Sequence, residues 1–206
     1  MDKYFCWFGL PGSMVLTTLL SSFALIRALC DPTPIRFLCF AAMALSSIGD
    51  LFLARLKPLK DRFRNCFSIG AAFFMGAHLV YAVCFSMKGR ALQSHFWNAG
   101  TLAALLLGAV VFLAFLLLLV RYKRTDSLLL IVIYLICILL NCTVVFSYGW
   151  SAGLTSFSAI CAVLGVFGFL LSDLIIGLGL VSRIHRLDFL IWWLYPIGQT
   201  LLILGA

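Results

Sequence analysis

The chain has 206 residues, of which 64% are hydrophobic and 11% are charged, and its net charge is +8. Water-soluble domains carry about 25% charged residues, and a chain of this size cannot bury so much apolar surface. This composition excludes a disordered protein, a secreted disulfide scaffold and a water-soluble α/β enzyme. It predicts an all-α, polytopic transmembrane bundle in which residues 1–206 form a single integral membrane domain.

Seven apolar segments are each close to the roughly 20 residues that a helix needs to cross a bilayer. We predict spans at residues 11–30, 35–55, 65–87, 96–120, 127–148, 152–182 and 189–205. The first is expected to be retained, because residues 1–4 lack the features of a cleavable secretory signal. The sixth, if straight, would reach about 46 Å, so we expect it to tilt, to protrude or to break near Gly177 or Gly179.

The eight cysteines do not indicate redox chemistry. No Cys-x-x-Cys pair occurs, and the cysteines that lie well inside apolar segments are Cys39, Cys84, Cys137, Cys142 and Cys161. We interpret them as small hydrophobic residues that face lipid or the core.

The basic residues lie in loops between the apolar segments and not on one helical face, which argues against a nucleic-acid partner. With seven spans, the side that holds the N-terminus carries eleven of them: Lys3, Arg55, Lys57, Lys60, Arg62, Arg64, Arg121, Lys123, Arg124, Arg183 and Arg186. The opposite side carries four: Arg27, Arg36, Lys88 and Arg90. The positive-inside rule therefore predicts a multi-pass protein of the cell membrane with a cytoplasmic N-terminus and an external C-terminus.

Two aspartates and one histidine fall inside the predicted spans. The chain has no glutamate, and Asp50 and Asp173 are the two of its seven aspartates that lie in a span, together with His78. An ionised carboxylate at the centre of a span costs about 2.5–3.5 kcal/mol or more. These residues are therefore candidates for a functional site. The structural alternative is a clamp, in which a protonated aspartate bonds to serine on a neighbouring helix.

Around these groups, residues that include polar and aromatic ones recur at helical spacing. They are Met43, Ser46, Ser47 and Asp50 in the second span, Gly70, Phe74, His78 and Tyr81 in the third, Gly165, Phe169, Ser172 and Asp173 in the sixth, and Trp192, Tyr195 and Gln199 in the seventh. Lipid cannot solvate these faces. We therefore expect them to converge inside the bundle.

The polar faces also indicate a weak internal repeat. Asp50 precedes His78 by 28 positions, and Asp173 precedes Gln199 by 26. Spans one to three would then correspond to spans five to seven, with the fourth as connector, and the two units would be parallel. Asp50 lies about five residues, or roughly 7 Å, before the inner end of its span, so the site is expected to open toward the cytoplasmic leaflet.

Four segments carry a resemblance to a known family. Residues 46–50 (SSIGD) with 70–81 (GAAFFMGAHLVY), and residues 165–173 (GVFGFLLSD) with 195–203 (YPIGQTLLI), resemble the two signature regions of the YhhN family of lysoplasmalogenases. They cover a little under half of the chain. Family members usually have eight spans, with Lys-Pro opening the second, so an eight-span count stays open. Here Gly9-Leu10-Pro11-Gly12 has no lysine beside the proline.

The resemblance implies an ether hydrolase that cleaves the vinyl-ether bond of lysoplasmalogens to a fatty aldehyde and glycerophosphoethanolamine or glycerophosphocholine. It carries over Asp50 and Asp173 as the acidic signature positions. Such hydrolysis is limited by protonation of carbon, so one buried aspartate would act as the acid while the other, ionised, stabilises the cation and orients water. The expected substrate-binding or supporting residues are Ser46, His78, Tyr81, Ser172, Tyr195 and Gln199.

Other functions remain as alternatives. Paired intramembrane aspartates also relay protons, so the main alternative is a small proton-coupled transporter or channel. A seven-span zinc hydrolase needs about three histidines and a carboxylate inside the membrane, whereas this chain offers only His78 there. We therefore expect no metal and no cofactor. An intramembrane aspartyl protease is disfavoured because residues 47–50 lack the Gly-x-Gly-Asp form. The expected partners are the lysophospholipid substrate and membrane lipid.

Overall fold

The computed structural model describes residues 6–7, 10–54, 57–93, 95–122, 128–182 and 186–206. Within these ranges the chain forms seven long helices, one short helix and a two-residue antiparallel ladder that pairs Cys6 with Pro11 and Trp7 with Leu10. The elements are β1 (Cys6–Trp7), β2 (Leu10–Pro11), α1 (Gly12–Cys30), α2 (Pro34–Leu53), α3 (Lys57–Arg62), α4 (Cys66–Ala91), α5 (Ala99–Arg121), α6 (Leu128–Ser151), α7 (Phe157–Ser182) and α8 (Asp188–Gly205).

The fold class predicted from the sequence is confirmed. Helices α2 and α4–α8 are long and apolar enough to cross a membrane by length and composition, and α1 adds an apolar segment over Met14–Cys30. These seven helices correspond in order to the seven predicted spans. The protein is therefore a polytopic helical bundle of about seven spans. The short helix α3 lies in the connection between α2 and α4.

Local sequence sets several helix boundaries. Thr33 caps α2, where its hydroxyl accepts from the Arg36 amide at 3.3 Å and Pro34 occupies the first helical position. Asn98 caps α5 in the same way, because its Oδ1 accepts from the Thr101 amide at 3.0 Å. Such caps satisfy amide groups that have no partner inside the first turn of a helix.

The predicted start of the sixth span at residue 152 is wrong. Residues 152–156 form the turn between α6 and α7, in which Gly153 and Leu154 adopt φ values of 79° and 50°. Helix α7 then continues without interruption through Gly177 and Gly179, so the break considered there is absent. Hydropathy does not detect this turn, because its first three residues are about as apolar as the flanking helices. The helix ends here for a steric reason, since a residue with a positive φ value cannot continue a right-handed helix.

Six helices form a closed ring around the polar residues. Along this ring α1 packs on α2, α2 on α4, α4 on α6, α6 on α7, α7 on α8, and α8 back on α1. Helix α5 lies outside, against α6, and contacts α7 only slightly. The ring thus consists of two successive sets of three helices with α5 between them in sequence. These are the neighbour relations that two parallel three-helix units would have.

Glycines permit close backbone contacts inside each set. A Cβ built on Gly70 of α4 would lie 3.0 Å from the Gly49 carbonyl oxygen of α2. A Cβ built on Gly198 of α8 would lie 2.8 Å from the amide nitrogen of Phe169 and 2.9 Å from the Gly165 carbonyl oxygen, both on α7. Larger residues would separate the helices at these points, because the opposing atoms belong to the backbone and cannot rotate away.

Helices α2, α5 and α7 end, and α4, α6 and α8 begin, at one end of the bundle. Arg62, Arg64, Arg121 and Arg186 lie exposed at or beside these helix ends. We name this the basic end of the bundle, and the positive-inside rule makes it the expected cytoplasmic side.

Lys88 differs from its predicted place in a loop beyond the third span. It lies within α4, partly buried, and donates hydrogen bonds to the Ser158 hydroxyl at 2.6 Å and to the Gly205 carbonyl. Arg27 of α1 donates to the Ile203 carbonyl. Two cations therefore face carbonyl groups at the C-terminus of α8, where the helix dipole favours positive charge.

Candidate active site

All eight residues predicted to form the site are buried, and the exposed fraction of each is 8% or less. They come from four helices: Ser46 and Asp50 from α2, His78 and Tyr81 from α4, Ser172 and Asp173 from α7, and Tyr195 and Gln199 from α8. The polar faces of these helices therefore turn away from lipid, as expected for groups that hydrocarbon cannot solvate.

Asp50 of α2 accepts a hydrogen bond from the opposite half of the helix ring. The Tyr195 hydroxyl of α8 donates to Asp50 Oδ2 at 2.9 Å. The Thr17 side chain of α1 also interacts with this carboxyl group. Asp50 therefore lies among hydroxyl groups, which can bond to a carboxylate or hold a water molecule beside it.

Asp173 pairs across the ring with His78. The distance from His78 Nε2 to Asp173 Oδ2 is 3.1 Å, and His78 Nδ1 lies 3.2 Å from Asn141 Nδ2 on α6. The Tyr134 hydroxyl of α6 also interacts with the Asp173 carboxyl. Both ring nitrogens of a fully buried histidine are thus occupied, which fixes the orientation of the ring relative to the carboxyl group.

The chain Asn141–His78–Asp173 accommodates either protonation state of the carboxyl. When Asn141 Nδ2 donates to His78 Nδ1, Nε2 carries the hydrogen and donates to an ionised Asp173. When the amide is turned over, Oδ1 accepts from Nδ1–H and Nε2 accepts from a protonated Asp173. In the first arrangement Asn141 Oδ1 is the one buried side-chain polar atom without a partner in the described part of the chain. The same heavy-atom positions therefore serve both states.

A third set of hydrogen bonds ties α2, α4 and α8 together. The Tyr81 hydroxyl donates to Gln199 Oε1 at 2.7 Å, and Gln199 Nε2 donates to the Ser46 hydroxyl at 3.2 Å. These side chains do not bond to either aspartate. Their role in the structure is to hold the helices that carry Asp50, His78 and Tyr195.

Aromatic rings connect the two carboxyl groups. The Phe169 ring centre lies 4.4 Å from that of His78 and 5.5 Å from that of Tyr195. The ring centre of Phe74 lies 6.0 Å from that of Tyr195. Asp50 and Asp173 are close enough for their charges to interact across this cluster. Because Phe74 and Phe169 are buried, charges interact more strongly across this cluster than they would in water.

An apolar cavity of about 80 Å³ lies beside Asp173. Asp173 and Tyr134 are the lining residues that carry polar side-chain groups, and Asp50 is not among the lining residues. The remaining lining residues are Leu53, Phe67, Ala71, Phe74, Phe115, Leu130, Ile131, Leu135, Ile138, Leu174, Ile176, Gly177 and Leu180. One of the two aspartates is thus in contact with a space suited to hydrocarbon.

The model of the YhhN family matches residues 12–206, nearly the whole chain. The chain belongs to the YhhN family. Searches among curated proteins and among solved structures gave no significant match. The resemblance carried by four segments is therefore confirmed, and it extends to the spans in which no motif was recognised.

Ser172, predicted as a supporting residue, is bonded within its own helix in this YhhN protein. Its hydroxyl donates to the Phe169 carbonyl at 2.8 Å within its own helix and makes no bond to Asp50 or Asp173. In contrast, Asn141 was missed by sequence reasoning although it contacts His78 directly. A signal for it exists, because Asn65 and Asn98 lie within the first three residues of their predicted spans and Asn141 is the one asparagine well inside a span. An amide there needs a partner for the same reason as a carboxyl.

Proposed function

We propose that this YhhN protein hydrolyses the vinyl-ether bond of lysoplasmalogens, releasing a fatty aldehyde and glycerophosphoethanolamine or glycerophosphocholine. The observation that carries the proposal is the place of Asp173, which is paired with His78 and lines an apolar cavity. A lipid with a single chain can put that chain in the cavity and its reacting bond beside the carboxyl group. Membership of the YhhN family supports a hydrolase of this class.

In the first step, Asp173 acts as the general acid. The proton must go to the second carbon of the alkenyl chain, and Asp173 is the aspartate that lines the cavity suited to that chain. The electron pair of the carbon–carbon double bond forms the new C–H bond, and positive charge spreads over the first carbon and the ether oxygen. General acid catalysis of this kind contributes about 10²–10⁴-fold to the rate.

In the second step, ionised Asp50 stabilises the cation and activates water. The hydroxyl groups of Tyr195 and Thr17 around Asp50 can orient a water molecule toward the first carbon. As the water oxygen bonds to this carbon, Asp50 takes one of its protons, and the product is a hemiacetal. A carboxylate fixed in a site with little water stabilises such a cation more strongly than it would in bulk water.

The third step restores both carboxyl groups. The hemiacetal hydroxyl returns its proton to Asp173 as the carbonyl group forms. The bond between carbon and the glycerol oxygen breaks, and that oxygen receives the proton from Asp50. One water molecule is consumed, and the products are a fatty aldehyde and the glycerophospho-alcohol.

We further propose that the basic end of the bundle faces the cytoplasm. Arg62, Arg64, Arg121 and Arg186 lie exposed there, and short basic loops are retained on the cytoplasmic side of membranes. The cavity beside Asp173 lies toward this end, because its lining comes from the first residues of α4 and α6 and the last residues of α7.

The test is product formation by the purified protein in lipid nanodiscs. Alkenyl lysophosphoethanolamine should release aldehyde and glycerophosphoethanolamine in equal amounts, and the ester-linked lysolipid of the same chain should release neither. The Asp50→Asn/Asp173→Asn variant, purified identically, controls for contaminating hydrolases. Aldehyde release that does not exceed that of the variant would refute the proposal. Proton flux into liposomes without any turnover would instead establish the transporter.

A further inference from the structure

The cavity beside Asp173 is elongated along the helices. On α7 its lining runs from Asp173 to Leu180, which is about 10 Å at 1.5 Å per residue. On α6 it runs from Leu130 to Ile138, or about 12 Å. Asp173 is the lining residue of α7 farthest from the basic end. A volume of about 80 Å³ is several times the roughly 10–15 Å³ that one water molecule requires.

The lining chemistry favours hydrocarbon over water. A buried water molecule needs two to four polar partners, and this cavity offers the Asp173 carboxyl and the Tyr134 hydroxyl at one place only. The rest of the surface consists of aliphatic and aromatic side chains. A linear hydrocarbon chain with a polar group at one end matches this distribution.

On the side of α5, the wall of the cavity is formed by Phe115. Helix α5 packs on α6 and contacts α7 only slightly. Phe115 of α5 reaches α7 at Gly177, where a Cβ would lie 2.7 Å from Phe115 Cζ and 2.9 Å from Cε1. The ring therefore rests on the bare backbone of Gly177, and both residues line the cavity.

We propose that this cavity is the binding site for the hydrocarbon chain of a single-chain lipid, and that the Phe115–Gly177 contact sets which chains it accepts. Given the proposed function, the occupant is the alkenyl chain of the lysolipid. Any side chain at position 177 displaces the end of the Phe115 ring, which can rotate, whereas the helix backbones remain in place. The displaced ring occupies cavity volume that the chain would otherwise fill.

The first test compares chain preference in three variants. Gly177→Ala should lower kcat/KM for a long-chain alkenyl lysolipid by about 10-fold or more and for a short-chain one much less, since one methylene in an apolar pocket is worth about 10–200-fold. Phe115→Leu in the Gly177→Ala background should restore kcat/KM for the long-chain lysolipid, because the shorter side chain leaves room for the new methyl group. Gly76→Ala is the matched control, because its added Cβ meets only Leu45 Cδ1, at 3.6 Å.

The second test measures chain binding without turnover. A lysolipid with a non-hydrolysable alkyl-ether linkage and a diazirine in its chain is photoactivated on the wild-type protein and on Gly177→Ala, and the labelled peptides are identified by mass spectrometry. We expect labelling of buried cavity residues such as Leu135 and Ile138 and its loss in Gly177→Ala. Labelling confined to lipid-facing residues such as Leu106 and Val120, equal in both proteins, would overturn the chain site.

The two tests separate this site from the reaction. Labelling of the cavity without aldehyde release would leave the chain site standing and refute the proposed hydrolysis. Aldehyde release with an unchanged chain preference in Gly177→Ala, and without cavity labelling, would leave the hydrolysis standing and refute the chain site.

Discussion

Replacement of Asp173 by asparagine separates the proposed chemistry from the structural role of the residue. Asparagine has the shape of the carboxyl group, and its amide can accept from or donate to His78 Nε2 across the 3.1 Å that the carboxyl now spans. It cannot deliver a proton to carbon. We expect aldehyde release to fall about 10²–10⁴-fold. The free energy of unfolding should change by less than about 1 kcal/mol, since a hydrogen bond remains.

Replacement of Asp173 by alanine should affect both activity and stability. It leaves His78 Nε2, which is fully buried, without its partner, and such a group costs about 1–3 kcal/mol. The lost carboxyl also enlarges the adjacent cavity. The melting temperature in detergent should therefore fall for Asp173→Ala but stay near the wild-type value for Asp173→Asn.

The measurements are aldehyde release and melting temperature for Asn and Ala variants at Asp50 and Asp173, and for the double Asn variant. Residues that act as one catalytic device are not additive, so the double variant should be little worse than the worse single variant. If the aspartates are only a structural clamp between helices, the Asn variants should keep their activity, because an amide can still form a hydrogen bond across helices. Substantial activity in both Asn variants would refute the acid-and-stabiliser mechanism.

Three further predictions concern topology, metal and helix packing. A C-terminal reporter that fluoresces only in the cytoplasm should stay dark, and an alkaline phosphatase fusion should be active; the reverse would refute the proposed orientation. In the described part of the chain no group of three or more His, Cys, Asp or Glu side chains could hold a metal, and we expect exhaustive chelation to leave lysolipid hydrolysis unchanged; loss of activity restored by stoichiometric zinc would contradict this. Gly198→Ala should lower the melting temperature, at a cost of about 1–3 kcal/mol, because its Cβ would lie 2.8 Å from the Phe169 amide nitrogen. Gly76→Ala should not lower the melting temperature. Equal melting temperatures for Gly198→Ala and the wild type would refute the close packing of α7 on α8.

The sequence by itself determined the spans and the residues that cannot face lipid. A bilayer leaves no water for polar groups, so an apolar segment of sufficient length must be a helix, and Asp50, His78 and Asp173 are conspicuous within such segments. Helical periodicity then indicated which neighbours share a face with them. The same reasoning failed at the turn over residues 152–156, because that turn depends on the φ values of Gly153 and Leu154 and not on hydropathy.

Only the tertiary structure decided which groups meet. Asp50 of α2 bonds to Tyr195 of α8, and Asp173 of α7 faces His78 of α4, so each aspartate is partnered by the other half of the chain. Asn141, although visible as an amide in a span, acquired its place beside His78 only through the packing of α4 on α6. Periodicity defines the face of one helix but not the helix opposite. That choice depends on how the ring closes and on which glycines let backbones approach.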